Sequence, residues 1–424
     1  MQLPSAILIG LEEISAGVAA VRELGEKGVA VHGIALHATP ALYSRWLTRR
    51  YLLPKTEAGL VELLNTIAKR EKAAFVLSVS EAASLVIRRL ADTGQLQGLR
   101  PLLPSLDKLK LVNDKMATYT IAEEVGIPIP RTWLPRSESE AAAPPADLTY
   151  PCILKYSDPV GVTLLLKRHG MPLFKAKYCY SEEDLRRILL DHAPIGCYPL
   201  VQSFCPGRGL AHMFFMHEGK ALLRFRHIRL LEWPPEGGVA AVCESLPIDD
   251  SDPLFAKSEE LVRRIGWEGA AQVEYRYDPT TSSVALMEVN AGRFWATLSL
   301  AYYAGAHFVW LTYAVLGLNQ PVTLKPYKSG LQCRFIAFEV FRLLRILFQP
   351  DKVQNRDLRF NRPLEIAGFL MGYLKPQTRY YLFSWKDPLP ALVHLPLKIG
   401  REIHTKLART MCVIQAKCLG REVN

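Results

Sequence analysis

The chain has 424 residues, 49% hydrophobic and 22% charged, with 52 Lys+Arg against 41 Asp+Glu and a net charge of +11. That composition excludes disordered, collagenous and low-complexity classes, and roughly 100–200 residues per domain allows two to four domains. Eight cysteines, Cys412 and Cys418 among them, are too sparse for a disulfide scaffold, lack C-x-x-C spacing and read as reduced thiols. No secretory signal is read from Met1–Gly10, since no positive region precedes its apolar run. No stretch reaches the ~18 uncharged apolar residues of a spanning helix. The segment Pro321–Asn424 holds 18 Lys+Arg and 7 Asp+Glu, and so carries the whole net charge.

Ser5–Gly10 is a buried-strand run, Ser15–Gly28 a helix with apolar Val18, Val21 and Leu24, and Val29–Leu36 a second strand. Strand, helix and strand at this spacing predict a right-handed parallel crossover. A helix at Glu57–Arg70 and a strand at Ala73–Ser78 extend it. Gly10 and Gly17 do not make G-x-G-x-x-G, so no dinucleotide fingerprint is read. A helix over Asp114–Val125 ends at Gly126, and Ser137–Pro145 reads as a loop. Strands follow at Cys152–Lys155, Phe174–Tyr180, Leu200–Phe204, Met213–Met216, Ala221–Arg226, Ala271–Tyr277 and Val284–Val289. Helices intervene at Ser181–Leu190 and Pro253–Ile265, and Phe294–Leu318 reads as helical and packed. The order predicts an α/β domain, an α+β domain and a basic, mainly helical tail. Within the tail, Arg334–Phe348 sets Glu339, Arg342 and Arg345 on one narrow polar stripe. Its wide apolar arc should dock on the core, leaving a basic surface near Arg356, Arg359 and Arg362.

The chemistry concentrates in Ala271–Phe294, where two alternating runs flank the Asp278-Pro279 turn and predict a hairpin. Period-two alternation puts Leu286, Glu288 and Asn290 on one face, and Gln272, Glu274 and Arg276 on the polar face of the partner strand. Two carboxylates and an amide oxygen so gathered suit Mg²⁺ bridging phosphates; a solvated polar face is the other reading. Arg224 and Arg226 share a strand face with Arg229 just beyond. They read either as a fork for a carboxylate or phosphate, or as solvated arginines. No zinc spacing, hydrolase elbow, P-loop or nucleic-acid motif is present.

The run Leu286-Met-Glu-Val-Asn-Ala-Gly-Arg293 resembles the second metal-binding strand of the ATP-grasp superfamily of ATP-dependent carboxylate–amine ligases. The resemblance implies Glu274, Glu288 and Asn290 as ligands of Mg²⁺, with Mn²⁺ as a substitute, and Arg293 as a catalytic arginine meeting phosphate oxygens. Ala291-Gly292 stands where the family has one proline, so Arg293 is displaced by one residue. Asp114-Lys115 with Gly126-Ile-Pro-Ile-Pro130, and Tyr150-Pro-Cys-Ile-Leu-Lys155, resemble further family elements and imply Lys115 and Lys155 as phosphate contacts. Lys177 is a second-tier phosphate or adenine-pocket residue. Leu200-Val-Gln-Ser-Phe-Cys-Pro-Gly207 resembles the adenine-reading hinge, implying Gln202 beside the nucleotide and the Phe204–Cys205 backbone on the adenine edge. The family lid between Lys155 and Lys177 is poorly matched, with Asp158-Pro-Val-Gly161 and His169-Gly170 in its place. Arg224-Phe-Arg-His-Ile-Arg229, followed by Glu232-Trp-Pro-Pro-Glu-Gly-Gly238, is similar to a group related to carbamoyl-phosphate synthetases. It implies Arg224 and Arg226 as substrate residues and Arg229 as catalytic. Tyr43-Ser-Arg45, Pro54 and Trp385-Lys-Asp-Pro-Leu-Pro390 are similar to short segments of the same group.

The expected fold is an N-terminal Rossmann-like pre-ATP-grasp domain (1–112), a two-subdomain ATP-grasp domain (113–320) and a basic, mainly helical C-terminal region (321–424). The expected function is amide formation through an acyl phosphate, using ATP, Mg²⁺, and small-molecule carboxylate and amine substrates. Two alternatives stand beside it. One is a peripheral membrane or other anion-binding adaptor with a vestigial ATP site; the other is a carbamoyl-phosphate-type ligase using bicarbonate or ammonia. The expected location is cytoplasmic, or peripheral at the inner membrane through weak anionic-lipid contact of the basic tail. No nucleic-acid partner is expected.

Overall fold

The structure is a computed structural model that describes residues 3–401. Cys412, Cys418 and the end of the basic tail lie outside the described residues. The first sheet joins β1 (Ser5–Ile9), β2 (Val31–Ala35), β3 (Leu47–Leu52), β4 (Ala73–Ser78) and β5 (Arg100–Pro101), in the order β3-β2-β1-β4-β5. All its pairings are parallel. β1 is apolar from Ala6 to Ile9 because that stretch is buried on both faces. Ala6 and Leu8 pack with the helix Ile14–Glu26, while Ile7 and Ile9 pack with the helices Glu57–Glu71 and Glu81–Asp92. Thr56 and Ser80 cap those last two helices, their hydroxyls accepting from Gly59 N and Ala83 N.

A four-stranded sheet follows from β6 (Thr132–Trp133), β7 (Cys152–Lys155), β8 (Lys177–Cys179) and β9 (Leu200–Ser203), in the order β6-β9-β7-β8. The largest sheet contains β10 (Arg208–His217), β11 (Lys220–Trp233), β12 (Val239–Leu246), β13 (Gly269–Asp278), β14 (Ser283–Ala291), β15 (Gln332–Arg334) and β16 (Thr378–Tyr380). Its order is β14-β13-β10-β11-β12-β15-β16.

Several elements differ from expectation. β10 and β11 run longer than Met213–Met216 and Ala221–Arg226 because buried polar residues continue them. His212 Nδ1 meets Ser258 Oγ at 2.8 Å, and His227 Nε2 meets Thr297 Oγ1 at 3.1 Å. β12 was not anticipated. The segment Ser137–Pro145 contains a short helix, Glu138–Ala142, capped by Ser137. The expected helix Phe294–Leu318 breaks after Ala304 at Gly305 and resumes at Phe308. Where a glycine-rich lid was sought, the helix Pro159–Arg168 stands instead, its N-terminus capped by Asp158. Asp-Pro reads as cap and first helical residue rather than as loop.

The C-terminal region is mainly helical, as expected, and also adds two short strands to the large sheet. Its β15 and β16 extend the large sheet, with Val242 opposite Arg334 and Cys333 opposite Arg379. The helix Ile336–Phe348 packs against β11 and β12, but in the opposite orientation to that expected. Glu339 and Arg342 are buried, whereas Ile336, Leu344 and Phe348 are exposed. The stripe faces inward because partners await it there. Arg334 Nε donates to Glu339 Oε1 at 3.0 Å, and Arg342 bonds Glu365 from the helix Arg362–Gly372. Two short segments far apart in sequence also meet. Asp387, 1% exposed, accepts from Arg22 Nε at 3.0 Å, Ser44 Oγ at 2.8 Å and Arg45 N at 2.9 Å.

Candidate functional site

β13 and β14 pair so that Gln272 faces Asn290 and Glu274 faces Glu288. A bulge then shifts the register, so that Tyr275 faces Leu286. The bulge overturns one expectation: Leu286 is fully buried in the apolar layer with Val273 and Val289, not beside Glu288 and Asn290. An extra residue in one strand reverses the alternation beyond it, which no period-two count can see. The carbonyl of Met287 is held by Tyr119 Oη at 2.8 Å.

Each opposed carboxylate has its own cation. Arg229 Nη2 donates to Glu274 Oε2 at 2.5 Å, and Lys115 Nζ lies 3.1 Å from Glu288 Oε2. Burial would raise the Glu288 carboxyl, but Lys115 and Arg293 hold it well below the usual range. Burial raises Glu274, against the pull of Arg229. Arg229 reaches this point because Gly209 lies under it; a Cβ there would sit 2.7 Å from Arg229 Cδ. Glu232 accepts from Arg229 at 3.3 Å and from Arg276 at 2.6 Å. The cluster therefore alternates in charge.

Asn290 Nδ2 donates to Glu288 at 3.0 Å, and its Oδ1 accepts from Arg293 Nη2 at 2.5 Å. The extra residue before Arg293 is absorbed by Gly292, whose φ of +75° turns the chain back. Arg293 Nε also lies 3.7 Å from Glu81, at the start of the helix Glu81–Asp92. Burial raises the Glu81 carboxyl.

Across from this cluster stands Lys155, at the end of β7. Among the described residues its ammonium meets neutral groups, Gln202 Oε1 at 3.1 Å and Met287 Sδ at 3.9 Å. Burial pushes it down to about 8. Gln202 Nε2 in turn donates to Tyr119 Oη at 2.9 Å, so Lys155, Gln202, Tyr119 and Met287 form one chain of contacts. After β9, the Phe204 ring lies 5.8 Å from Tyr178, and Cys205 is half-buried rather than core. Gly207, at φ +97°, lets the backbone pass Tyr277, whose carbonyl a Cβ would strike.

Thus Lys115, Lys155, Gln202, Arg229, Glu274, Glu288, Asn290 and Arg293 come together. Three expected residues do not. Arg224 and Arg226 lie on the other face of β11, paired to Glu259 at 2.7 Å and Asp252 at 3.2 Å around the helix Pro253–Arg264. They are one step out of phase with Arg229. Lys177 stands opposite Leu154, on the face of β7 away from Lys155, with its Nζ 5.9 Å from the Phe174 ring. Sequence reasoning missed Tyr119, Glu232 and Glu81. Only Glu232 carried a signal, lying three residues after Arg229.

The donor set of Glu274, Glu288 and Asn290 is all oxygen. Two carboxylates facing each other across adjacent strands could share a divalent cation beside their existing ion pairs, and Mg²⁺ would complete its shell from phosphate and water. Among the described residues there is no group of three or more His, Cys, Asp or Glu placed to hold a metal. Ligation by Asn290 would require its oxygen, now held by Arg293, to turn toward Glu288.

No family model matches the sequence. A carbamoyl phosphate synthase large chain from Methanobrevibacter smithii is 22% identical over 244 residues, covering 55% of this chain and only 22% of that relative. Among solved structures, an N5-carboxyaminoimidazole ribonucleotide synthetase in its ADP complex superposes with a TM-score of 0.57 at 14% identity, covering 78% of this chain and 81% of the other. An L-amino acid ligase from Bacillus licheniformis gives 0.56 at 14%, with 74% of each chain covered. A biotin carboxylase from Campylobacter jejuni gives 0.58 at 14%, covering 77% and 74%.

Proposed function

From the premise that the chain has the ATP-grasp fold, we propose that it is an ATP-dependent carboxylate–amine ligase. The observation that carries this reading is the half-buried cation of Lys155, facing neutral groups across from two opposed carboxylates that each hold a cation. A half-buried ammonium near its own titration point is stabilised by an incoming anion, and a phosphate chain supplies one. Solved relatives with this fold were captured with ADP or an ATP complex, which supports nucleotide in the same cleft.

In this reading Lys115 and Lys155 hold the phosphates, while Gln202 and the Phe204–Cys205 segment border the adenine. Mg²⁺ held by Glu274, Glu288 and Asn290 would supply neutralisation of phosphate charge. Arg293 would meet the transferring phosphoryl group and is the catalytic residue of this reading. Arg229 is a positioning residue, since its fork is spent on Glu274 and Glu232. The substrate carboxylate attacks the γ-phosphorus and ADP leaves. An amine then attacks the acyl carbon, phosphate leaves with its bonding pair, and the nitrogen loses a proton. Such chemistry needs mainly placement and charge complementarity.

The test is ADP release from the full chain with ATP, Mg²⁺ and pooled carboxylates and amines. Release that requires both pools supports the ligase. ADP formation indifferent to both contradicts it.

A further inference from the structure

The C-terminal region exposes apolar side chains on a scale found nowhere else in the described residues. In and beside the helix Arg362–Gly372, Leu364 is 67% exposed, Leu370 60%, Met371 65% and Leu374 80%. Phe348 at 73% and Trp385 at 88% add to them. Tyr373, Tyr380, Phe383 and Trp385 form a run of ring contacts at 6.2, 6.3 and 4.9 Å. The inward turn of Glu339 and Arg342 leaves Ile336, Leu344 and Phe348 on the outer side of their own helix. A cavity of about 260 Å³ under the helix Arg362–Gly372 shows that it is not packed tightly onto the sheet.

Basic residues rim this surface. Arg359 precedes the helix, Arg362 is its first residue, Lys375 follows it and Lys386 adjoins Trp385, all exposed. The segment from Pro321 onward also carries the chain's entire net positive charge. Exposed leucines flanked by cations, with a tryptophan at the edge, match the chemistry of an anionic lipid–water interface. No helix among the described residues is long and apolar enough to cross a bilayer.

We propose that this face docks the protein on an anionic membrane surface, with the helix Arg362–Gly372 lying in the interface. Leu370 and Leu374 enter the acyl boundary while Arg362 and Lys375 meet lipid phosphates. The cavity lines the sheet face bearing Leu230 and Val242, opposite that of Arg229, so docking leaves the nucleotide cleft free.

The test is flotation of the full chain with vesicles of phosphatidylcholine, alone or mixed with phosphatidylglycerol. Binding is expected only to the anionic vesicles and should weaken as salt is raised. Each basic residue at such a surface strengthens binding roughly fivefold, so the pair Arg362→Gln and Lys375→Gln should weaken it at least tenfold. Leu370→Glu with Leu374→Glu should abolish it. Because both leucines are exposed, the variant should keep the wild-type melting temperature and ATP affinity. Wild-type protein that stays unbound with anionic vesicles would overturn the proposal. So would sedimentation showing a dimer that the leucine variant dissolves, which would give the face to a second copy of the chain.

Discussion

Glu274 and Glu288 stand directly opposite each other on adjacent antiparallel strands, and each is held by a cation from a different part of the chain. Arg229 reaches Glu274 from within the same sheet; Lys115 reaches Glu288 from the first position of the helix Lys115–Glu124. Two carboxylates at this spacing, Glu274 mostly buried and Glu288 about a third exposed, are stabilised by those cations.

Arg229→Ala removes one partner and leaves Glu274 buried beside Glu288. The loss of an ion-pair partner at so buried a site costs about 3–5 kcal/mol, readable as a lower midpoint in urea unfolding. Gly209→Ala should act in the same direction, since its new Cβ displaces Arg229. Wild-type stability in both variants would show that Glu274 does not depend on Arg229.

Lys155 gives a pH dependence with a defined sign. Burial lowers its ammonium to about 8, so it is mostly charged at neutral pH and loses its proton as pH rises through that value. ATP affinity should therefore fall on the alkaline side, and binding there should take up a proton. Lys155→Arg stays charged and should flatten that limb. Lys155→Ala should weaken ATP binding roughly tenfold to a hundredfold, the loss of one charge-assisted contact. Calorimetry across pH in buffers of different ionisation enthalpy reads both effects; an unchanged alkaline limb in Lys155→Arg contradicts the assignment.

Arg224→Ala should leave kcat and KM for both substrates unchanged. The side chain is 44% exposed and faces Glu259, on the sheet face away from the cleft. A raised KM for the carboxylate would return it to the site.

The pair Arg22–Asp387 joins the N-terminal helix to the C-terminal region, with side chains 2% and 1% exposed. Arg22→Ala should lower unfolding stability by about 3–5 kcal/mol, because Asp387 stays buried without its cation. A surface-like loss below about 1 kcal/mol would show that the contact is not held in solution.

What could be read from the sequence follows what is local. β1 and β7 are short, apolar and complete in themselves, so composition finds them. The hairpin Ala271–Phe294 announces its turn, and the opposition of Glu274 and Glu288 follows from alternation as far as the bulge. Beyond it, Leu286 falls on the wrong face, because a bulge has no composition of its own. Arg224 and Arg226 were grouped with Arg229 by proximity along the chain, whereas pleating separates them. The inward stripe of Ile336–Phe348 was hidden for a different reason. Glu339 and Arg342 read as solvent-facing until Arg334 and Glu365 arrive from other elements. Lys177 shows the limit most simply: its face is set by its register against Leu154, and register is a property of two strands.

The most direct test is calorimetric titration of the full chain with ATP, once with Mg²⁺ and once with chelator, in the wild type and in Lys155→Ala. The ATP-site account predicts saturable binding that weakens at least roughly tenfold without Mg²⁺, as expected when Glu274 and Glu288 face the phosphates with no metal between them, and that weakens again when Lys155 is removed. Equal affinity with and without Mg²⁺, or full affinity in a folded Lys155→Ala protein, would contradict it.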